Sequence, residues 1–158
     1  MSITARRRSS GSDGSAAVEP RPKNATTEER RFIERHKAEL SKTTLRAKWT
    51  HSPDEHEDRA GQTLATRSPD VIRRWAEDRR AKPATTSTIR EGERPRTLRF
   101  DFPADGQDGR GSRLKPIDWE AWLGTFQDRD LVFLYQEHRR NGGDSNFFRL
   151  DSPRREQG

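Results

Sequence analysis

The densest group of side chains that could bind a metal ion lies between residues 51 and 58. The run His-Ser-Pro-Asp-Glu-His-Glu-Asp offers two imidazoles and four carboxylates within eight residues. Imidazole nitrogen and carboxylate oxygen are ligands that Zn²⁺, Mn²⁺ and Ni²⁺ accept in proteins. His51 and His56 are therefore candidate metal ligands, and a metal-dependent enzyme that uses them is one functional hypothesis. The structural alternative is a solvated helix start, in which Ser52 and Glu55 form a capping box.

Candidates for general acid–base catalysis are Asp101, Glu137 and His138. Such catalysis needs a carboxylate or a histidine in a concave, partly dry site. Asp101 falls on the polar face of a predicted strand, where an arginine is the expected partner, and Glu137 and His138 fall at a strand end, where charges are common. Gly-x-Ser-x-Gly, glycine-rich phosphate-binding and His-Glu-x-x-His motifs are all missing from the sequence. These observations favour a protein without catalytic activity and indicate no cofactor.

Two groups of cations lie beside a tryptophan and could contact nucleic acid. They are Lys42, Arg46 and Lys48 next to Trp49, and Arg73 and Arg74 next to Trp75. Lysine and arginine neutralise phosphates, and an exposed tryptophan can stack on an unpaired base. Trp75 falls on the apolar stripe of a predicted helix, and Arg74 can pair with carboxylates one turn away on either side. The group around Trp49 is therefore the stronger candidate.

The charge balance favours a polyanionic partner. The net charge is +6 and the isoelectric point is about 10.3, as is typical of proteins that bind nucleic acid. Residues 1–24 carry five basic and two acidic side chains, whereas residues 98–152 carry eight basic and ten acidic ones. The excess positive charge thus lies upstream of the most aromatic part of the chain. Codon bias toward arginine, of which there are 26 against six lysines, is the alternative explanation.

Composition excludes several other classes. The chain has no cysteine, which excludes disulfides, thiolate catalysis and Cys-ligated metal centres. No run of about 18 apolar residues occurs, so we expect no membrane span. Arg6-Arg7-Arg8 is not followed by the apolar segment of a secretory signal. We therefore expect a cytoplasmic protein.

Hydrophobic periodicity predicts two helices in the C-terminal two thirds of the chain. The first covers residues 69–81, where apolar side chains recur every 3.6 residues until Pro83 ends the pattern. The second covers residues 118–127, with Asp118 as its N-cap and Trp122 on its apolar stripe. Both are amphipathic and must cover an apolar partner.

The upstream region is also predicted to be helical. Thr26 and Glu29 fit a capping box at the start of a helix over residues 27–40. Residues 42–49 are predicted to continue as a short second helix. Neither apolar stripe is wide, so these helices need tertiary contacts to be stable.

Strands are predicted at four places. Residues 98–102 alternate between apolar and polar side chains, which indicates a half-buried strand. Residues 131–135 are apolar on both faces, which indicates a central strand covered on both sides. Residues 147–150 would return as its partner after the Asn141-Gly142 turn, and a short strand is plausible at residues 84–88.

The predicted fold is α+β. It has a small three- to four-stranded, mainly antiparallel sheet with two helices on one face, preceded by a helical N-terminal extension and a disordered tail. The predicted parts are a disordered basic tail (1–24), a helical extension (25–63), an α+β core domain (64–152) and a disordered C-terminus (153–158). The helix over residues 27–40 is expected to cover the other face of the sheet.

Several short motifs carry a resemblance to known proteins. They are Ile72-Arg73-Arg74-Trp75-Ala76-Glu77, Pro83-Ala84-Thr85, Leu98-Arg99-Phe100-Asp101-Phe102-Pro103, Ile117-Asp118-Trp119, Leu134-Tyr135-Gln136-Glu137 and Ser145-Asn146-Phe147. In this order they resemble a group of small bacterial proteins of unassigned function, over about residues 62–152. The resemblance implies those domain limits and a bacterial, cytoplasmic setting. It implies no activity and no catalytic residue.

The leading functional hypothesis is a non-catalytic binding module that contacts nucleic acid through basic N-terminal segments. Its predicted contact residues are Lys42, Arg46, Lys48, Trp49, Arg73 and Arg74. The alternatives are a protein-interaction or self-associating adaptor, with a protein partner or a second copy as ligand, and a metal-dependent enzyme using His51 and His56. No membrane partner is expected.

Overall fold

The computed structural model describes residues 21–86, 94–103 and 114–154. Its helices are α1 (Thr27–Arg35), α2 (Lys42–Arg46), α3 (Pro69–Asp78) and α4 (Trp119–Asp128). Its strands are β1 (Lys48–Thr50), β2 (Leu64–Thr66), β3 (Lys82–Thr85), β4 (Arg99–Asp101), β5 (Lys115–Pro116), β6 (Val132–Tyr135) and β7 (Phe148–Asp151). The predicted α+β class is confirmed. None of the helices in these ranges is long and apolar enough to cross a membrane.

The strands form two sheets. The larger has the order β1-β2-β6-β7, in which β1 and β2 are parallel and the other pairs are antiparallel. The smaller has the order β4-β3-β5 and is antiparallel throughout. The sequence predicted one sheet of three or four strands. The second sheet and the strands β1, β2 and β5 were not predicted.

Strand β6 lies at the centre of the core because both of its faces are covered. Side chains alternate across a strand, so Val132 and Leu134 face one way while Phe133 and Tyr135 face the other. The first pair packs with buried residues of the N-terminal region, including Phe32, Ile33, Leu45 and Trp49. The second pair packs with α3, α4 and the smaller sheet, through residues that include Trp75, Phe100 and Trp122. The predicted cover on both sides of this strand is confirmed.

Side-chain caps fix the helix starts. Thr26 and Glu29 form the predicted capping box of α1, with the Glu29 amide donating to Thr26 Oγ1 at 3.0 Å and the Thr26 amide donating to Glu29 Oε1 at 2.8 Å. Asp118 caps α4 as predicted, by accepting from the Ala121 amide at 2.8 Å. A helix of nine residues such as α1 is marginal in isolation, so burial of its Phe32 and Ile33 supplies the missing stability.

Two upstream helix predictions need correction, one in its length and one in its existence. The helix predicted over residues 42–49 ends at Arg46, and the chain then enters β1, because parallel pairing with β2 outweighs the local helical pattern. The helix predicted after Ser52 does not form. Glu55 Oε1 instead accepts from the amides of His51 and Ser52, at 2.7 and 3.2 Å, and holds a turn.

The N-terminal region is part of the folded body. Strand β1 belongs to the same sheet as β2, β6 and β7, so residues 25–63 are more than a helical extension. Lys23 forms a parallel bridge with Lys48, so the fold begins before the predicted boundary at residue 24. The predicted tails lie outside the described residues at positions 1–20 and 155–158.

Candidate functional site

Two features of the surface could bind a ligand, and the first is a hollow lined by cations. The cationic hollow is lined by Lys23, Lys42, Arg46 and Arg59, together with Thr43, Ala47, Gln62 and Thr63, and encloses about 260 Å³. All four cationic side chains are exposed. The lining includes no carboxylate, so all the charged side chains that line the hollow are positive.

Local structure brings these four cations together. Lys42 and Arg46 are four residues apart in α2, so they lie on the same side of the helix. Lys23 is fixed beside them, because its amide donates to Ala47 O at 3.1 Å and its carbonyl accepts from the Trp49 amide at 2.8 Å. Arg59 comes from the loop before β2. The hollow is thus formed by three chain segments that meet at one edge of the larger sheet.

The charges of the hollow are not neutralised by ion pairs. Within the described residues, Lys23, Lys42, Arg46 and Arg59 form no salt bridge. The carboxylate of Asp58 is close by, but Lys48 Nζ donates to its Oδ1 at 2.9 Å. That hydrogen bond, with a smaller attraction from Lys23, lowers the pKa of Asp58. Asp58 is thus ionised and engaged by Lys48.

The other predicted nucleic-acid contacts do not join this hollow. Trp49 is 0% exposed and its Nε1 donates to Thr44 O at 3.3 Å, so the expectation that it stacks on a base is wrong. Trp49 is buried because it lies in β1, and from there its side chain packs against β6. Lys48 is occupied, since its Nζ also donates to His56 O at 2.7 Å.

The predicted pair on α3 is likewise neutralised. Arg73 lies 3.5 Å from Glu77 and Arg74 lies 3.2 Å from Asp78. The guanidinium of Arg73 also sits 5.4 Å from the Trp119 ring centroid. These are ordinary one-turn ion pairs on an exposed helix, so the two arginines offer little free positive charge.

The second feature is a cleft lined in part by His56, Glu137 and His138, which belong to two histidine–glutamate pairs; Glu57, the fourth member, is not part of the lining. At this His–Glu cleft, His56 Nδ1 lies 2.8 Å from Glu137 Oε2, and His138 Nδ1 lies 2.5 Å from Glu57 Oε2. The Glu57 amide donates to Glu137 Oε1 at 2.9 Å. The loop before β2 and the segment after β6 are thereby joined by paired titratable groups.

The walls of the His–Glu cleft combine aromatic side chains with charged side chains of both signs. The cleft encloses about 210 Å³ and is lined by Pro53, Glu55, His56, Val71, Arg74, Trp75, Asp78, Arg79, Tyr135, Glu137, His138 and Asp144. The Tyr135 hydroxyl lies 2.6 Å from Thr50 Oγ1. Burial raises the pKa of Tyr135 above its usual value, which keeps this phenol protonated.

Arg79 holds the end of β6 in place. Its guanidinium donates to the carbonyls of Ser145 at 2.6 Å, Glu137 at 2.8 Å and Trp75 at 3.0 Å, and it lies 4.5 Å from the Trp75 ring centroid. Burial lowers its pKa, while Asp144 and other acidic groups raise it in part. Because its donors are used on backbone carbonyls, Arg79 positions Glu137 and leaves the Glu137 carboxylate to His56.

The predicted metal pair, His51 and His56, is divided between two contacts. His51 lies 3.5 Å from Glu29 and 3.6 Å from Glu55, whereas His56 contacts Glu137. The group of potential ligands that does converge is Glu57, Glu137 and His138. Glu57 belongs to the ligand-rich run of residues 51–58, whereas Glu137 and His138 were predicted as acid–base candidates. No local spacing could join the two groups, because the contact between Glu57 and His138 spans 81 residues.

The chain matches no protein-family model, no curated protein and no solved structure.

Proposed function

We propose that the protein is a binding module that contacts nucleic acid through its phosphates at the cationic hollow. The observation that carries this proposal is the convergence of Lys23, Lys42, Arg46 and Arg59 around one hollow without a carboxylate in its lining. Cations on a protein surface bind phosphate chains by releasing condensed counterions. Four free cations in one place therefore favour a polyanion as ligand.

The burial of Trp49 argues against binding by base stacking. Recognition of single strands by stacking needs an exposed aromatic ring, and the hollow has none in its lining. Contacts to phosphates position a protein on nucleic acid without reading the base sequence. We therefore expect binding that is independent of sequence and steeply dependent on salt. The arginines of residues 6–8 would add to it.

The test is a titration of the full chain with fluorescently labelled duplex DNA, duplex RNA and single strands of two different sequences. Each is measured at about 50 mM and about 200 mM salt. Four phosphate contacts predict a slope of log affinity against log salt of about −3 to −4 on duplex DNA, and a steeper slope where the arginines of residues 6–8 add contacts. The affinity should be equal for both sequences. Absence of binding at the lower salt concentration, or binding without a salt slope, would contradict the proposal.

A protein-interaction module is the second candidate. Phe147 is 40% exposed, and among the described residues it is the only large hydrophobic side chain so exposed. It directly precedes β7, which is an edge strand of the larger sheet. Edge strands can pair with another chain. Sedimentation of the wild-type protein and of Phe147→Ser distinguishes this candidate, because self-association through this edge would weaken in the variant.

A further inference from the structure

Three potential metal ligands, of which Glu137 and His138 line the His–Glu cleft, lie close together. One donor atom from each of Glu57, Glu137 and His138 lies within 4.8 Å of the other two. All three residues are partly buried. Two ligands of one tetrahedral Zn²⁺ ion are about 3.3 Å apart, given metal–ligand distances of about 2.0–2.1 Å. Small side-chain rotations would therefore bring these donors to ligand spacing.

The charge around the cluster favours a cation. Glu57 and Glu137 carry two carboxylates, and their only ion-pair partners within the described ranges are His138 and His56. No lysine or arginine in those ranges bridges to either carboxylate. Arg79 lies nearby, but it donates to the Glu137 carbonyl.

One carboxylate oxygen of the cluster has no hydrogen-bond partner. Glu57 Oε1 is buried and accepts no hydrogen bond within the described residues, and its side chain is only 12% exposed. A buried acceptor without a hydrogen bond destabilises the fold, and such atoms in folded proteins call for an explanation such as a bound ion. This oxygen belongs to the residue whose other oxygen contacts His138.

Hydrogen bonds orient part of the cluster. His138 Nδ1 contacts Glu57 Oε2, whereas its Nε2 lies 3.8 Å from Asp144 Oδ1, which is beyond hydrogen-bond distance. Glu137 is oriented by the Glu57 amide and by His56. Glu137 is thus positioned by two contacts, and His138 by its contact with Glu57.

We propose that Glu57, Glu137 and His138 bind a divalent transition-metal cation of the Zn²⁺ class. Mixed imidazole and carboxylate ligands suit first-row transition metals, whereas Mg²⁺ and Ca²⁺ prefer oxygen alone. His56, which contacts Glu137, orients that ligand or takes the fourth position. The site is independent of the cationic hollow, so it does not rest on the proposed nucleic-acid function.

The test is a titration of the chelator-treated full chain with Co²⁺, followed by visible absorption, and with Zn²⁺ and Mg²⁺ by calorimetry. We expect one equivalent of Co²⁺ or Zn²⁺ to bind, and Mg²⁺ to bind far more weakly. His138→Gln and Glu57→Gln should each lower the Zn²⁺ affinity at least tenfold. His51→Gln, which removes a histidine of the same region that lies outside the cluster, should leave the affinity unchanged.

Three results would contradict this metal site. Failure of the wild-type chain to bind either Co²⁺ or Zn²⁺ would overturn the proposal, as would equal Zn²⁺ affinities in wild type and both cluster variants. A loss in His51→Gln alone would move the site to the originally predicted pair. Circular dichroism checks that each variant is folded. If one cluster variant fails to fold, the other and the cobalt spectrum of the wild type decide.

Discussion

Asp151, in the last strand of the larger sheet, accepts a hydrogen bond at 2.8 Å from the amide of Ser41, which lies 110 residues earlier in the chain. The same carboxylate oxygen contacts Thr44 Oγ1 in α2. Asp151 is 7% exposed. This buried carboxylate ties the helix that carries Lys42 and Arg46 to the central sheet.

Replacement of Asp151 by Asn should therefore destabilise the protein. Hydrogen bonds to a charged group are worth about 1.5–3 kcal/mol each, so we expect the free energy of unfolding to fall by about that amount or more. Urea denaturation measures it. The control is Asp144→Asn, since the side chain of Asp144 is 85% exposed and surface changes are usually within about 0.5 kcal/mol. Equal effects of the two substitutions would contradict the role given to Asp151.

Replacement of Trp49 by Phe should lower stability without changing nucleic-acid affinity. Trp49 is fully buried between the N-terminal helices and β6, and core substitutions of this kind cost about 1–3 kcal/mol. Denaturation measures the stability, and a binding titration of the folded variant measures the affinity. A tenfold weaker complex with fully folded Trp49→Phe would show that this ring does contact the ligand.

The carboxylate of Glu55 should make stability depend on acidic pH. Burial raises its pKa, but hydrogen bonds from the His51 amide, the Asn24 side chain and the Ser52 amide outweigh that effect, so its pKa is lowered from 4.5 overall. A pKa that is lower in the folded state means that the ionised form stabilises the fold. This stabilisation is fully present above about pH 4.5 and is lost as the pH falls through the folded-state pKa.

The check is urea denaturation of wild type and Glu55→Gln between about pH 3 and pH 7. The wild type should be the more stable at neutral pH, and the difference should shrink as the pH falls below about 4.5. Asp54→Asn is the matched control, because its carboxylate accepts no hydrogen bond within the described residues. A constant difference across this pH interval would refute the assignment to Glu55.

Local sequence patterns predicted the parts of the fold that depend on local interactions. The capping box of Thr26, the N-cap of Asp118 and the doubly covered strand β6 are all confirmed. Strands β1 and β2 have three residues each and form only by pairing across the chain, so no local periodicity could indicate them. Because Trp49 was assigned to a helix, its burial was missed.

The residues of the two candidate sites show the same difference between local interactions, which the sequence indicates, and long-range contacts, which it does not. Lys42 and Arg46 were predicted from their proximity in the sequence, and they line the cationic hollow. Lys23 was assigned to the disordered tail and Arg59 was not singled out, because their positions beside α2 depend on the fold. The pairing of Glu57 with His138 depends on the register between the loop before β2 and the end of β6, which spacing along the chain does not reveal.

The most direct test of the cationic hollow compares two double variants that remove the same net charge. Lys42→Gln/Arg46→Gln removes two free cations of the hollow, whereas Arg73→Gln/Arg74→Gln removes two that are paired on α3. On duplex DNA, the first should reduce the salt slope by about 2, or about 1 per phosphate contact, and weaken binding at least tenfold at about 50 mM salt. The second should leave the slope close to that of wild type. Equal losses in both variants, or a larger loss in the second, would contradict the assignment of nucleic-acid binding to this hollow.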